Sequence, residues 1–253
     1  MNYSFDPVYA RDRLVAEIRH HAHEQGFTKA VLGISGGKDS TVTAALLARA
    51  LGKENVYGVL LPDGEQDDIM DSYRVCEVLG IPHFEFNIQA MHQSLSNRWI
   101  TTTFPYSKES DINVAPRLRM TVLRYFTQAL GARLAGTGNL SEITVGYCTK
   151  DGDTSCDFSV LGGLTSVEVV QVGLTMEEIP QDLVLKTPAD GLSGMSDEEK
   201  LGVRYEDIHH YIRRDQMLPA EVCRKIEALK ESSSHKRCDP PILYNPSWEY
   251  YVW

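Results

Sequence analysis

Short apolar runs alternate with longer amphipathic segments over the first half of the chain. The apolar runs lie at residues 29–34, 55–61, 83–88 and 132–136, and each has the length of a strand buried on both faces. Apolar residues at helical spacing follow the first three runs, at residues 40–51, 65–79 and 115–130. This alternation predicts an α/β fold with a doubly wound, parallel sheet.

Capping signals extend the prediction to both ends of the chain. Asp6 and Pro7 form an N-cap and a first-turn proline before an opening helix that stops at Gly26. Two more helices are predicted at about residues 204–212 and 219–232. The polar, glycine-rich stretches at 146–163 and 186–202 are long enough to suggest functional loops. Without a repeat or a linker, residues 1–253 are predicted to form a single domain.

The composition of the chain indicates which partners the protein binds and in which compartment it works. A formal net charge of -10 opposes broad contact with a phosphate backbone, so no nucleic-acid partner is expected. No apolar run reaches the ~18 residues of a membrane span, and the first residues lack the pattern of a secretory signal. We therefore expect a cytoplasmic protein with no membrane partner. Its five cysteines contain no C-x-x-C pair and are expected to be reduced and structural.

A glycine-rich segment stands where the first strand gives way to a helix. It consists of Gly33, Ile34, Ser35, Gly36, Gly37, Lys38, Asp39 and Ser40. Glycines allow backbone N–H groups to approach phosphate oxygens, the serines add hydroxyl donors, and the helix directs its positive end at the anion. The first crevice of a doubly wound sheet is also a common ligand site. The segment is predicted to bind phosphate.

The loop differs from a Walker A loop at two positions. Leu32 stands where that motif has its first glycine, and Asp39 stands where it has Ser or Thr. Because an acid in a phosphate site repels the ligand unless a cation lies between them, Asp39 predicts a bridging Mg²⁺.

The S-G-G-x-D-S sequence at residues 35–40 resembles the signature of the PP-loop ATP pyrophosphatases, which cleave ATP between its α- and β-phosphates. That superfamily includes NAD synthetases, other ligases and tRNA-modifying enzymes. The resemblance implies a Rossmann-like fold of the adenine nucleotide alpha hydrolase type, with a mostly parallel, five-stranded sheet and helices on both faces.

A second constellation narrows the choice within that superfamily. Residues 136–142 (GTGNLSE) are followed by residues 145–153 (VGYCTKDGD) and then by Asp157. This arrangement resembles the NAD synthetase pattern, and weaker similarity extends from about residue 29 to residue 241. The resemblance implies ATP-dependent amidation of deamido-NAD by ammonia, through an acyl-adenylate, with release of AMP and pyrophosphate. It also implies a homodimer without a glutaminase domain. The apolar helix around Met120, Leu123, Tyr125 and Phe126 is expected to supply the dimer contact.

The resemblance assigns roles to individual residues. Thr137 joins the loop in binding ATP, and Asp39 and Glu142 together hold Mg²⁺. For Glu142 the alternative is simple complementarity to a helix N-terminus. The residues that contact deamido-NAD are Arg117, Lys150, Asp157, His235 and Lys236. The last two lie in residues 232–239, which we expect to be a flexible arm that closes over the substrate, because serines weaken its helix and prolines follow.

Three positions depart from the family pattern: Leu60, Ser166 and Ala189 stand where many relatives carry residues that contact the nucleotide. His20, His21 and His23, and likewise His209 and His210, are expected to be solvated surface residues. Two other functions remain open. A tRNA-modifying enzyme requires a basic surface and often a C-x-x-C pair, and a non-catalytic nucleotide-binding module requires only the loop.

Overall fold

A five-stranded parallel sheet forms the centre of the computed structural model, which describes residues 3–66, 68–100, 103, 105, 107–186 and 196–238. The strand order is β3-β2-β1-β4-β5, and every neighbouring pair is parallel. The strands are β1 (Ala30–Gly33), β2 (Val56–Leu60), β3 (His83–Glu85), β4 (Arg133–Gly136) and β5 (Phe158–Ser159). The predicted α/β fold is confirmed.

The chain reverses its direction of winding between β1 and β4. Ala30 of β1 is paired with Val56 on one side and with Arg133 on the other. The second and third strands therefore extend the sheet to one side of β1, and the fourth and fifth to the other. Connections that diverge in this way leave a crevice at the carboxyl ends of β1 and β4, where doubly wound proteins bind ligands.

Helices occupy both faces of the sheet and the region beyond β5. Their bounds are α1 (Pro7–Glu24), α2 (Lys38–Leu51), α3 (Ile69–Leu79), α4 (Gln89–Ile100), α5 (Lys108–Ile112), α6 (Val114–Leu130), α7 (Leu140–Val145), α8 (Ser166–Gly173), α9 (Gln181–Val184), α10 (Asp197–Leu201), α11 (Tyr205–Arg213) and α12 (Ala220–Ser232). Short 3₁₀ turns cover Lys53–Asn55 and Ser234–Lys236. The predicted N-cap is also present, since the Asp6 carboxylate accepts from two backbone N–H groups at 3.0 Å.

Alternation along β1 divides the core into two layers. Ala30 and Leu32 pack with α1, α2 and α8, whereas Val31 packs with Leu123 and Met120 of α6. All five of these side chains are buried. A separate apolar cluster joins α7, α11 and α12, and its members include Val145, Tyr205, Ile208 and Ile226. This cluster packs α11 and α12, near the C-terminus, against α7, which follows β4.

Two other features of the chain bear on the sequence expectations. No helix within the described ranges is long and apolar enough to cross a membrane. All five cysteines lie within those ranges, and each is a free thiol.

Candidate active site

The glycine-rich loop connects the carboxyl end of β1 to the N-terminus of α2. The Ser35 hydroxyl is exposed, accepts from the Gly37 N–H at 3.3 Å and lies 3.1 Å from the Ser40 hydroxyl. The Ser40 hydroxyl in turn accepts from the Ser35 N–H at 3.2 Å. These bonds hold the turn in a fixed shape at the N-terminus of α2, where a helix favours an anion.

Both the backbone conformation and the close packing at position 36 require a glycine. Its φ of 74° is in the left-handed region, and a Cβ there would lie 2.7 Å from Asp71 Cβ and 2.9 Å from the Ser72 nitrogen. The loop therefore rests directly against the start of α3. Lys186 stabilises the start of α3, since its ammonium lies 2.7 Å from carboxylate oxygens of both Asp68 and Asp71.

Asn139 links the two carboxylates that the sequence assigns to a metal. Its side-chain amide donates to Asp39 at 3.1 Å, and its backbone N–H donates to Glu142 at 3.0 Å. Its side-chain oxygen accepts from the Glu142 N–H, which completes a capping box at the start of α7. The fold thus brings the phosphate loop and the segment after β4 into one cluster.

Lys38 lies beneath the loop rather than at its surface. Its side chain is 4% exposed, and its ammonium is 2.6 Å from an oxygen of Asp39. The same ammonium lies over the ring of Tyr205, 5.5 Å from the centroid. Burial works to lower the pKa of Lys38, but the carboxylates of Asp39 and Glu142 outweigh it and raise that pKa. Lys38 therefore stays charged as the counter-ion of the acidic pair.

The electrostatics of Glu142 suit a cation. Burial is the main cause that raises the pKa of Glu142 to about 8, and the like charge of Asp39 adds to it, while Lys38 acts in the opposite direction. A divalent ion near both carboxylates would relieve this repulsion. Carboxylate oxygens supplemented by phosphate oxygens are the ligands that Mg²⁺ prefers, so the two residues fit that ion.

A second layer of polar side chains supports the cluster and was not predicted from the sequence. Asp197 is 7% exposed and accepts hydrogen bonds from the hydroxyls of Tyr147 and Tyr205, at 2.9 and 3.4 Å. Because Asp197 begins α10 and Tyr205 begins α11, this network holds two helix N-termini beside Lys38. Nothing local in the sequence marks Asp197, whereas Asn139 is detectable as the cap of an Asn-x-x-Glu box.

Two of the predicted dinucleotide contacts lie together. Arg117, on α6, is exposed and donates to the carbonyl of Lys150 at 3.2 Å. Asp157 stands apart from them. One of its oxygens pairs with Arg124, and the other accepts from the backbone N–H of Leu134 at 2.8 Å. Its carboxylate therefore joins α6 to β4.

The predicted arm is docked rather than extended. The helix α12 continues to Ser232, so the serines do not end it early. The hydroxyl of Ser233 donates to the Leu229 carbonyl at 2.7 Å, at the end of this helix. The Lys236 ammonium donates to the carbonyls of Gly146 and Cys148 at 2.8 and 2.6 Å. His235 is exposed. Lys236 thus closes the C-terminal end of α7, four residues from Glu142. Asp239 lies outside the described residues.

The structure also locates the departures from the family pattern. Leu60 is fully buried in the apolar core, and Ser166 is 3% exposed at the start of α8. Neither side chain reaches the crevice surface as an exposed group. Ala189 lies outside the described residues. For the histidines, one expectation was wrong: His209 is 9% exposed, because its ring packs between α8 and α11 and contacts Thr165 at 2.8 Å.

Comparison with known proteins agrees with this geometry. The sequence model of the NAD synthase family matches residues 10–240. An NH₃-dependent NAD(+) synthetase of Methanocaldococcus jannaschii is 32% identical over 245 residues, covering 91% of this chain and 94% of that protein.

Two solved structures are similar over nearly the whole chain. An NMN synthetase from Francisella tularensis superimposes with a TM-score of 0.87 at 28% identity, covering 94% of this chain and 99% of its own. An NH₃-dependent NAD synthetase from Campylobacter jejuni gives a TM-score of 0.78 at 25% identity, covering 95% and 100%. Because the family model matches residues 10–240, and the phosphate loop lies at the carboxyl end of β1, the chain belongs to the NAD synthase family.

Proposed function

We propose that this protein is an ATP-dependent ligase that amidates deamido-NAD with ammonia to form NAD. The observation that carries the proposal is the family match over residues 10–240, together with two carboxylates placed on the phosphate loop and the adjoining helix. The nicotinate carboxylate attacks the α-phosphorus of ATP, and pyrophosphate leaves. Ammonia then attacks the acyl-adenylate, and AMP leaves.

The ATP triphosphate is assigned to residues 33–40 and Thr137. Support comes from the exposed Ser35 hydroxyl, the N-terminus of α2 and the position of Thr137 directly after β4. Asp39 and Glu142 are the residues that would hold Mg²⁺, which neutralises the charge of the departing pyrophosphate when bound. The buried Lys38 ammonium holds the Asp39 carboxylate in place by its ion pair. In this assignment its positive charge also attracts the phosphates of ATP bound at the loop.

The deamido-NAD site is assigned to Arg117, Lys150, Asp157, His235 and Lys236. The Arg117 side chain donates to the backbone carbonyl of Lys150, which places Arg117 beside the loop that carries Lys150. Both positive side chains are assigned to the diphosphate of the substrate. Asp157 would accept from ribose hydroxyls on the side not used by Arg124. In this assignment Lys236 exchanges one of its backbone carbonyl partners for the substrate.

A smaller substrate is the second candidate. The Francisella tularensis structure with the TM-score of 0.87 is an NMN synthetase. The corresponding reaction here is the same adenylation and amidation of nicotinic acid mononucleotide, which lacks the second nucleotide. The loop and the metal residues serve both reactions equally, because both use ATP in the same way.

One assay tests the function and separates the candidates. Purified enzyme with ATP, Mg²⁺ and ammonium is given either deamido-NAD or nicotinic acid mononucleotide, and AMP, pyrophosphate and the amide product are measured. A higher kcat/KM for deamido-NAD supports the main proposal, and the reverse supports the second. Turnover of neither substrate contradicts both. Product formed from glutamine, with free ammonia removed by a scavenging enzyme, would contradict ammonia as the donor.

We also propose that the protein forms a homodimer through the edge of the sheet next to α6. Phe84 and Phe86 at β3 are 41% and 40% exposed, and Tyr125 on α6 is 73% exposed. These aromatic side chains form an apolar surface of the kind that interfaces use. Met120 and Leu123, expected to contribute, are buried in the protein's own core and do not. A sedimentation mass of 28.4 kDa at working concentration would contradict the dimer.

The cytosol is the compartment in which we expect the enzyme to work. Its five free thiols suit a reducing compartment in which ATP is available.

A further inference from the structure

Two histidines and an aspartate meet at the C-terminal end of α11. The carboxylate of Asp215 lies between the two imidazole rings: one oxygen is 2.8 Å from His210 Nδ1, and the other is 3.6 Å from His209 Nε2. One ligand atom from each residue falls within 4.8 Å of the other two. The cluster is separate from the phosphate loop and takes no part in the proposed amidation.

The spacing matches that of ligands around one ion. Zinc binds imidazole nitrogen and carboxylate oxygen at about 2.0–2.2 Å, so two ligands at tetrahedral angles lie about 3.4 Å apart. The two measured separations, 2.8 and 3.6 Å, lie on either side of that value. Little movement of the side chains is therefore needed to accommodate an ion.

Contacts on the far side of His209 leave its inward nitrogen free to coordinate. His209 Nδ1 is 2.8 Å from the Thr165 hydroxyl and 4.0 Å from a carboxylate oxygen of Glu168. A proton on Nδ1, donated to the Thr165 hydroxyl, would leave the Nε2 lone pair directed at Asp215. Metal-bound histidines are oriented in this way by a hydrogen bond from the other ring nitrogen.

The surroundings favour a cation. Two arginines precede Asp215 in the chain. The guanidinium of Arg213 is paired with the fully buried carboxylate of Glu168, and Arg214 is the exposed C-cap residue of α11. The three residues sit at the negative end of the α11 dipole. Arg214 adopts the left-handed conformation, with φ of 55°, and this turn folds Asp215 back onto the helix end.

We propose that His209, His210 and Asp215 bind one divalent transition-metal ion of the kind that prefers imidazole ligands, such as Zn²⁺ or Co²⁺. Because His209 is held by Thr165 of α8, a bound ion would join α8 and α11 and stabilise the fold at a distance from the catalytic residues. The open positions of the ion would be completed by water.

Metal titration of the full chain tests the proposal. The protein is treated with a chelator, dialysed and titrated with Co²⁺ in the absence of ATP, with visible absorption and thermal unfolding as readouts. We expect one equivalent to bind, with the visible bands of a nitrogen and oxygen site, and the Tm to rise. The variants His210→Gln and Asp215→Asn should bind at least about tenfold more weakly, since even outer-shell changes cost about 10–100-fold.

The matched control is His20→Gln on α1. His20 also faces a carboxylate, Glu24, at 3.3 Å, but both side chains are more than half exposed. Within the part of the chain that the structure describes, no third metal-ligating group lies with them. This variant should bind Co²⁺ as the unaltered protein does. Both test positions are partly exposed, so the variants are expected to fold, which circular dichroism verifies. Equal affinity in all four proteins, absence of stoichiometric binding, or thiolate charge-transfer bands would overturn the proposal.

Discussion

Lys38 and Asp39, consecutive in the chain, form an ion pair of 2.6 Å beneath the phosphate loop. Neighbouring residues at the start of a helix usually point in different directions. Here the lysine turns inward, under the ring of Tyr205, and returns its ammonium to the acid beside it. The negative charge of Asp39, one of the two residues proposed to hold Mg²⁺, is therefore balanced by a positive charge of the protein itself.

Asp39→Asn and Glu142→Gln should each leave the fold intact and lower kcat by about 10²–10³, the usual effect of losing one electrostatic stabiliser. Both changes remove a carboxylate from the proposed magnesium site. The control is Asp182→Asn, which breaks an exposed ion pair with Arg74 away from the loop. Activity close to the unaltered level at limiting Mg²⁺ would exclude the changed residue from the metal site.

Lys38→Met should lower the free energy of unfolding by about 3 kcal/mol, because it leaves the acidic pair of Asp39 and Glu142 without its buried counter-ion. Added Mg²⁺ should then raise the Tm of this variant more than that of the unaltered protein, since the ion replaces the missing charge. Thermal unfolding with and without Mg²⁺ measures the difference. An equal response in the two proteins would mean that Lys38 does not balance the acidic pair.

Asp157→Asn should destabilise the protein by about 1–3 kcal/mol at neutral pH, the range for hydrogen bonds to a charged group. Burial works to raise the pKa of Asp157, but hydrogen bonds from Arg124 and the Leu134 N–H lower it below its ordinary 3.8. A lowered folded-state pKa adds stability that is complete above pH 3.8 and is lost as pH falls through the folded value. The difference in unfolding free energy should therefore shrink below pH 4; a constant difference would contradict this account.

His235→Ala with Lys236→Ala should leave ATP binding almost unchanged, while raising the KM for deamido-NAD and the ratio of AMP released to NAD formed. The reason is that an arm unable to close admits water, which hydrolyses the activated carboxylate. Lys236→Arg is the control, because it keeps a positive donor near the Gly146 and Cys148 carbonyls. An unchanged KM together with one AMP per NAD would remove both residues from the site.

Gly146→Ala should destabilise the protein by about 2–4 kcal/mol. Its φ of 69° disfavours a side chain, and a Cβ there would lie 2.0 Å from Ser233 Cβ. Ser233→Gly in the same chain should recover the part of this loss that comes from the collision. Chemical denaturation of the two single variants and the double variant measures the coupling. Additive losses would show that α7 and α12 are not in this close contact.

The sheet could be predicted because its strands are encoded locally. Runs such as residues 29–34 and 55–61 are apolar on both faces, and the observed strands differ from them by one residue at each end. The helices α4 and α8 were missed. In α4 the apolar residues give no clear stripe, and the start of α8 is marked only by a capping box of Thr165 and Glu168 that was not recognised in the sequence. The short helices α5, α9 and α10, of four or five residues each, were not predicted either.

The candidate site was predictable where chemistry and sequence spacing coincide. Asp39 and Glu142 were identified as a pair from the loop and the family pattern, and the fold connects both to Asn139. Asp197 and the burial of His209 were not predictable, because each depends on a contact between elements far apart in the chain. For example, the hydroxyl of Thr165 meets a ring 44 residues later.

The shortness of α7 has a mechanical consequence. Six residues span only about 9 Å, too short a length to bend. Glu142 occupies its first turn, and the close contact of Gly146 with Ser233 fixes its last. If one end of α7 tilts, the whole helix therefore tilts with it as a rigid body. If the C-terminal arm rearranges around a dinucleotide, the Glu142 carboxylate is reoriented with it. Under the proposed assignment, the binding of deamido-NAD and the binding of ATP are therefore coupled through this one short helix.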